Sequence, residues 1–96
     1  MGAEVAIGDE VDIRDSEYIW CKGVIKMIIE SAKREPVILV HYKCFDESKD
    51  EALHKNSARL AKKGAFTSRT DIPRYRFKRQ GDSITSCEKV NVGAVT

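Results

Sequence analysis

The first clear pattern along the chain is an alternation: Val11 and Ile13 are apolar, and Asp12 and Arg14 are polar. A period of two suits a strand with one buried face. Gly8-Asp9-Glu10 before it reads as a turn, and Asp15-Ser16-Glu17 after it as a polar break. Tyr18 to Glu30 follows, dense in β-branched residues, with Trp20, Lys22, Val24, Lys26 and Ile28 sharing one parity. That density and the mid-segment Gly23 favour a strand over a helix across Lys22–Lys33, and Gly23 predicts a bend or bulge. Ser31 to Pro36 reads as a charged loop closed by proline. Val37 to Tyr42 is an apolar run that predicts a strand buried on both faces. Asp46 to Asp50 is a polar turn, Glu51 to His54 a short closing strand, and Asn56 or Ser57 caps a helical turn running to Leu60.

Short strands gain stability only by curling together, so residues 8–61 are expected to form one small barrel around Val11, Ile13, Val24, Ile38 and Val40. Beyond Lys62-Lys63-Gly64, the aromatics Phe66, Tyr75 and Phe77 interleave with basic residues. Pro73 argues against regular structure there. Residues 62–79 are expected to drape over the barrel through Phe66 and Tyr75, with a free arm as the alternative. Residues 80–96, polar and carrying Gly and Ser, are expected to be a disordered tail.

With 96 residues, the chain holds one domain. Apolar runs are far shorter than the ~20 residues of a membrane span, and the first residues lack a signal-peptide pattern. An intracellular monomer is expected. The three cysteines, Cys21, Cys44 and Cys87, are odd in number and widely spaced, which argues against a disulfide framework. The net charge of +2 is unevenly spread: −3 over residues 1–61, +6 over 62–79 and −1 over 80–96. A concentrated basic segment points to an anionic partner, so Lys62, Lys63, Arg69, Arg74, Arg76, Lys78 and Arg79 are candidate contacts for RNA or DNA.

Catalytic chemistry finds no support. GxSxG, HExxH, P-loop and dinucleotide motifs are all missing from the sequence. His41 has no nucleophile beside it, and Asp50 and Glu51 are better employed in turn hydrogen bonds and in contacts with Arg59 than as a hydrolase pair. His41, Cys44 and His54 lack the tight local spacing of a zinc site. No catalytic residue, metal or cofactor is expected.

The string Val40-His41-Tyr42-Lys43-Cys44-Phe45, then Lys49-Asp50-Glu51, then Ser57-Ala58-Arg59-Leu60 resembles the chromo-barrel (Tudor-knot) signature V-H-Y-x-G-W, W-D-E-W and S-x-R-[IL]. Gly8 to Val11 and Trp20 to Lys26 resemble the opening strands of that family, which includes modules of MYST-type acetyltransferases and of MRG-type and male-specific-lethal-type chromatin proteins. The resemblance implies a mainly all-β, SH3-like, five-stranded barrel. It implies a nuclear, non-catalytic module that holds a histone-tail peptide, methylated on lysine, in an aromatic cage, with RNA or DNA binding in some members. Carried over, the cage candidates are Trp20, Tyr42 and Phe45, with Asp12 as an accompanying carboxylate. The sequence departs from the signature at Cys44, which replaces a glycine, and at Lys49 and Ala52, which replace tryptophans. Those departures leave a third expectation, a protein–protein adaptor with a degenerate cage.

Overall fold

The computed structural model describes residues 4–81 and 83–90. Within them the chain is mostly β: β1 (Glu10–Arg14), β2 (Trp20–Ser31), β3 (Arg34–Tyr42), β4 (Glu51–His54), β5 (Leu60–Lys62), β6 (Arg74–Gln80) and β7 (Ser83–Val90). The first five form an antiparallel path in the order β4-β3-β2-β1-β5. A β6–β7 hairpin joins this path at a single parallel pairing, Trp20 with Arg74.

The alternation in β1 sends Val11 and Ile13 inward, where they meet Cys21, Ile25, Ile38, Val40, Tyr42 and Leu60 in one buried cluster. Val24, expected in the core, is only half-buried, because its neighbours Gly23 and Ile25 take the inward parity. A register shift between Ile25 and Met27 then resets the parity, so that Ile28 also packs against the core. This bulge explains why no single alternation fits β2. It lies beyond Gly23, whose role is different: a Cβ there would sit 2.8 Å from Val40 Cγ1 and 3.1 Å from Ile13 Cγ2. Gly23 is the point where three strands press together too closely for a side chain.

β3 is not buried on both faces. Ile38, Val40 and Tyr42 point into the core, while Val37, Leu39 and His41 are half-exposed on the other side. Nor is Ser31–Pro36 a long loop, since β2 and β3 turn over Ala32-Lys33 with Ser31 opposite Arg34. Pro36 sits in the strand beside the second register shift, where a missing N–H is tolerated. The helical turn expected at 56–60 is instead two successive turns, closed by Ser57 N to His54 O and by Leu60 N to Ser57 O. Among the described residues the helical segment is the 3₁₀ turn Glu47–Lys49, capped by the Asp46 carboxylate.

The C-terminal part departs most from expectation. Residues 83–90 form a strand rather than a disordered tail, and β6 begins immediately after Pro73. Residues 91–96 lie outside the described residues. The sequence Arg74-Tyr75-Arg76-Phe77-Lys78 is itself a period-two pattern, and Gly81, at φ 61°, serves the turn. A disulfide joins Cys44, just after β3, to Cys87 in β7, and leaves Cys21 as a buried free thiol. The odd cysteine count therefore hid one bridge. It links residues 43 apart, and closing a loop of that size in the unfolded chain is worth about 2–4 kcal/mol. Urea denaturation with and without a dithiol reductant should show a loss of about that size on reduction. Identical midpoints would mean that the bridge does not constrain the unfolded chain.

Candidate functional site

Two clusters of side chains flank β1 and β2, one on each face. On the outer face Asp12 is fully buried. Its Oδ1 accepts from Gly64 N at 3.0 Å and Thr67 Oγ1 at 3.0 Å, and its Oδ2 from Phe66 N at 2.8 Å and Thr67 N at 2.7 Å. Four donors saturate the carboxylate and fix residues 64–67 over the sheet. Phe66 is thereby laid on Trp20, with ring centroids 4.1 Å apart and planes 12° from parallel. Trp20 is 7% exposed. Neither Trp20 nor Asp12 is therefore a wall of an open cage: one is roofed by Phe66, and the other spends all its acceptors on backbone and hydroxyl.

On the opposite side, Tyr42 and Phe45 do meet, edge to face at 5.7 Å. Tyr75 completes the group at 5.4 Å from Phe45, with the ring planes 89° apart. These three rings, with Asp15, Glu17 and Glu51, line a cleft of about 260 Å³. Asp15 was not among the candidate residues, and Tyr75 was expected to pack on the barrel but not beside the cage candidates. The alternation around Tyr75 was the available signal for its place, and nothing local marked Asp15.

Asp15 builds its own corner. Its Oδ1 accepts from Glu17 N and Ile19 N at 2.8 and 2.9 Å, which folds the 15–19 turn, and its Oδ2 accepts from Tyr75 Oη at 3.2 Å. Burial and the Asp15 carboxylate push the Tyr75 phenol up to about 12, so it remains a donor. At the floor, Arg59 grips Glu51 with two nitrogens at 2.9 and 2.7 Å and donates to Tyr42 Oη at 3.1 Å and to the Arg14 carbonyl at 2.8 Å. Tyr42 in turn donates to Glu51. Burial and then the Glu51 carboxylate raise the Tyr42 phenol. The Arg59 hydrogen bond lowers Glu51 despite its partial burial. The expected Arg59 contact is thus made by Glu51, whereas Asp50 turns to His41 Nδ1 at 2.7 Å and Lys26 at 3.2 Å.

The charges in the cleft are unequally matched. Glu51 belongs to Arg59, and Glu17 to Lys89 at 2.8 Å. Among the described residues, Asp15 meets no basic side chain. Exposed Lys49 stands at the rim, and Ala52 points away to solvent. Of the basic candidates in 62–79, Lys63 pairs with Glu10, Arg69 with Asp71 and Arg76 with Glu88. Lys62 and Arg74 hold no carboxylate among the described residues, Lys78 has an interaction of its own, and the Arg79 side chain lies outside the described residues. His54 is exposed and Cys44 is in the disulfide, so neither joins His41 in a ligand set.

Two measurements test this account. Asp12→Asn replaces an acceptor oxygen by an amide that faces N–H donors, so a loss of about 2–4 kcal/mol is expected by chemical denaturation. A change under about 0.5 kcal/mol would mean that the cluster is not structural. Acid stability is the second. Hydrogen bonds from Lys43 and Lys63 lower Glu10 to about 2. A depressed carboxyl group stabilises the fold above its unfolded value, and that contribution fades as pH falls through the folded value. Stability should therefore decline from about pH 4.5 toward 2, and Glu10→Gln should remove part of that slope. A wild-type slope in the variant would refute it.

No protein-family model, curated protein or solved structure matches the chain.

Proposed function

We propose that the chain is a non-catalytic binding module of chromo-barrel type that takes a lysine-type cation from a basic, histone-tail-like peptide into the Tyr42–Phe45–Tyr75 cleft. The observation that carries this reading is the meeting of Tyr42 and Tyr75 edge to face with Phe45 in one cleft, where buried Tyr42 forms the floor and the Asp15 carboxylate has no basic side chain against it among the described residues. A cation held over aromatic faces gains about 0.5–2 kcal/mol per contact, most when it is poorly hydrated, as a methylated ammonium is. Asp15 supplies the counter-charge, and its hydrogen bond from Tyr75 keeps that ring in place.

The barrel belongs to the same proposal. What supports it is the antiparallel order β4-β3-β2-β1-β5, together with the Arg59–Glu51 pair that spans the gap between the two ends of that path. The cage differs from the one the resemblance implied: Tyr75 from the β6–β7 hairpin takes the position expected of Trp20, and Asp15 that of Asp12. A nuclear setting follows from the resemblance as well. In a reducing compartment Cys44 and Cys87 are thiols, and the β6–β7 hairpin that carries Tyr75 loses its covalent tie to the end of β3.

The test is a chemical-shift titration of the oxidised protein with lysine-bearing and methyl-lysine-bearing histone-type peptides. Shifts are expected at Phe45, Tyr75 and Asp15. Lys49→Ala removes a competing charge without touching the fold and should tighten binding about two- to five-fold, in line with the modest energy of an exposed charge contact. Tyr75→Ala should weaken it about ten-fold. Shifts confined to other surfaces, or a Lys49→Ala variant that binds more weakly, would sink the reading.

A further inference from the structure

The Cys44–Cys87 bridge has one end on each side of the cleft wall. Cys44 is followed directly by Phe45, the ring that meets both Tyr42 and Tyr75. Cys87 stands opposite Phe77 in the β6–β7 register, and Tyr75 stands opposite Lys89. Residues two apart on a strand share a face, as do directly paired residues on neighbouring strands, so Tyr75, Phe77, Cys87 and Lys89 project from one side of the hairpin. That side meets the body of the sheet. Tyr75 packs on Phe45 at 5.4 Å, Lys22 Nζ lies 5.5 Å from the centre of the Phe77 ring, and Lys89 reaches Glu17 at 2.8 Å. The covalent bond thus crosses the same gap as the Phe45–Tyr75 contact.

The other ties across that gap are modest. Among the described residues, the hairpin's backbone pairs with the rest of the sheet at Trp20 and Arg74, at its open end, where Trp20 N donates to Pro73 O at 3.2 Å. The Lys89–Glu17 pair is exposed, and pairs of that kind contribute little. The Tyr75 hydroxyl donates to Asp15 at a long 3.2 Å. Both bridge cysteines are only half-buried, so the sulfurs are open to exchange. Cys21 differs from them. It is fully buried, and burial pushes its thiol up to about 12, which keeps it out of the exchange.

We propose that the Cys44–Cys87 pair is a redox-modification site that gates the cleft: a dithiol opens the bridge and lets Tyr75 leave Phe45, and re-oxidation brings it back. The proposal rests on the reading of the cleft given above. A thiolate of the dithiol attacks one bridge sulfur, the S–S bond breaks, and a mixed disulfide forms. The dithiol's second sulfur then displaces the bound cysteine. Cys44 and Cys87 end as thiols carrying the two protons of the dithiol, and the dithiol, having given up two electrons, ends as a disulfide. A small disulfide such as oxidised glutathione takes those electrons on the way back. In a reducing compartment the open form is the resting one, and an oxidising episode completes the cleft. A ligand that needs Tyr75 then binds in proportion to the closed fraction.

The experiment follows the full chain by NMR before and after dithiothreitol. Ring-to-ring contacts between Phe45 and Tyr75 should vanish on reduction, while those among Ile13, Ile25, Ile38 and Val40 persist. Native alkylation of the reduced protein should mark Cys44 and Cys87 and spare Cys21. Affinity for a methyl-lysine-bearing histone-type peptide should fall about ten-fold, the size expected for losing Tyr75, and return with oxidised glutathione. The double variant Cys44→Ser, Cys87→Ser should match the reduced protein without reductant, and Tyr75→Ala should bind equally in both redox states. If the oxidised protein binds no peptide, the cleft reading falls, and the ring contacts alone decide the gate. Three results would overturn the gate: Phe45–Tyr75 contacts unchanged on reduction, a bridge that dithiothreitol opens only when the whole domain unfolds, or a Tyr75→Ala variant whose peptide affinity still follows the redox state.

Discussion

The loop that carries the chain from β5 toward β6 is anchored by one buried carboxylate. Asp12 sits with no exposed surface on the outer face of β1, and its two oxygens accept hydrogen bonds from Gly64, Phe66 and Thr67. A buried carboxylate without such donors would be strongly destabilising, and loop N–H groups without an acceptor would be too. Each therefore solves the other's problem. Once the loop is anchored, Phe66 lands on Trp20, and the chain reaches Pro73, whose carbonyl accepts from Trp20 N at 3.2 Å. That single contact starts β6 beside β2 and carries Tyr75 into the cleft.

The body of the sheet has a matching device on its inner side. Its hydrogen-bonded path ends at β4 and β5, and those ends are joined by side chains rather than backbone. Arg59 does this with a two-nitrogen grip on Glu51 and a bond to the Arg14 carbonyl. Tyr42, tied into the same network, forms at once part of the core and the back wall of the cleft. The lining of the cleft and the fold thus share atoms, and the groups at its floor are held by the same hydrogen bonds that join the sheet.

The parts of this arrangement legible in the sequence are those governed by local pattern. The alternation of Val11 and Ile13, the β-branched run of β2 and the apolar run of β3 mark the first strands. The Ser-x-Arg-Leu stretch points to the Glu51–Arg59 pair. Long-range pairing was not legible. Asp12 looks like any polar residue of an amphipathic strand, and only the fold brings residue 64 to it. Trp20 and Asp12 are cage candidates through the family resemblance alone. The register of β1 on β2, with Arg14 opposite Trp20 and Asp12 opposite Lys22, turns both to the outer face, away from Tyr42. The hairpin was lost for a different reason: Pro73 was weighted as a breaker of everything near it, when it only marks the first position before a strand.

The Cys44–Cys87 bridge has a topological consequence. It turns the stretch from residue 44 to residue 87 into a covalent ring that contains β4, β5, β6 and most of β7. A protease that cuts the loop between β5 and β6 opens that ring at one point only, and the two pieces remain one molecule until the sulfurs are reduced. A cut at the Ala32-Lys33 turn, outside the ring, divides the chain at once. Connections inside the ring thus survive a single cut and those outside it do not, and the cleft wall from the hairpin lies within the protected part.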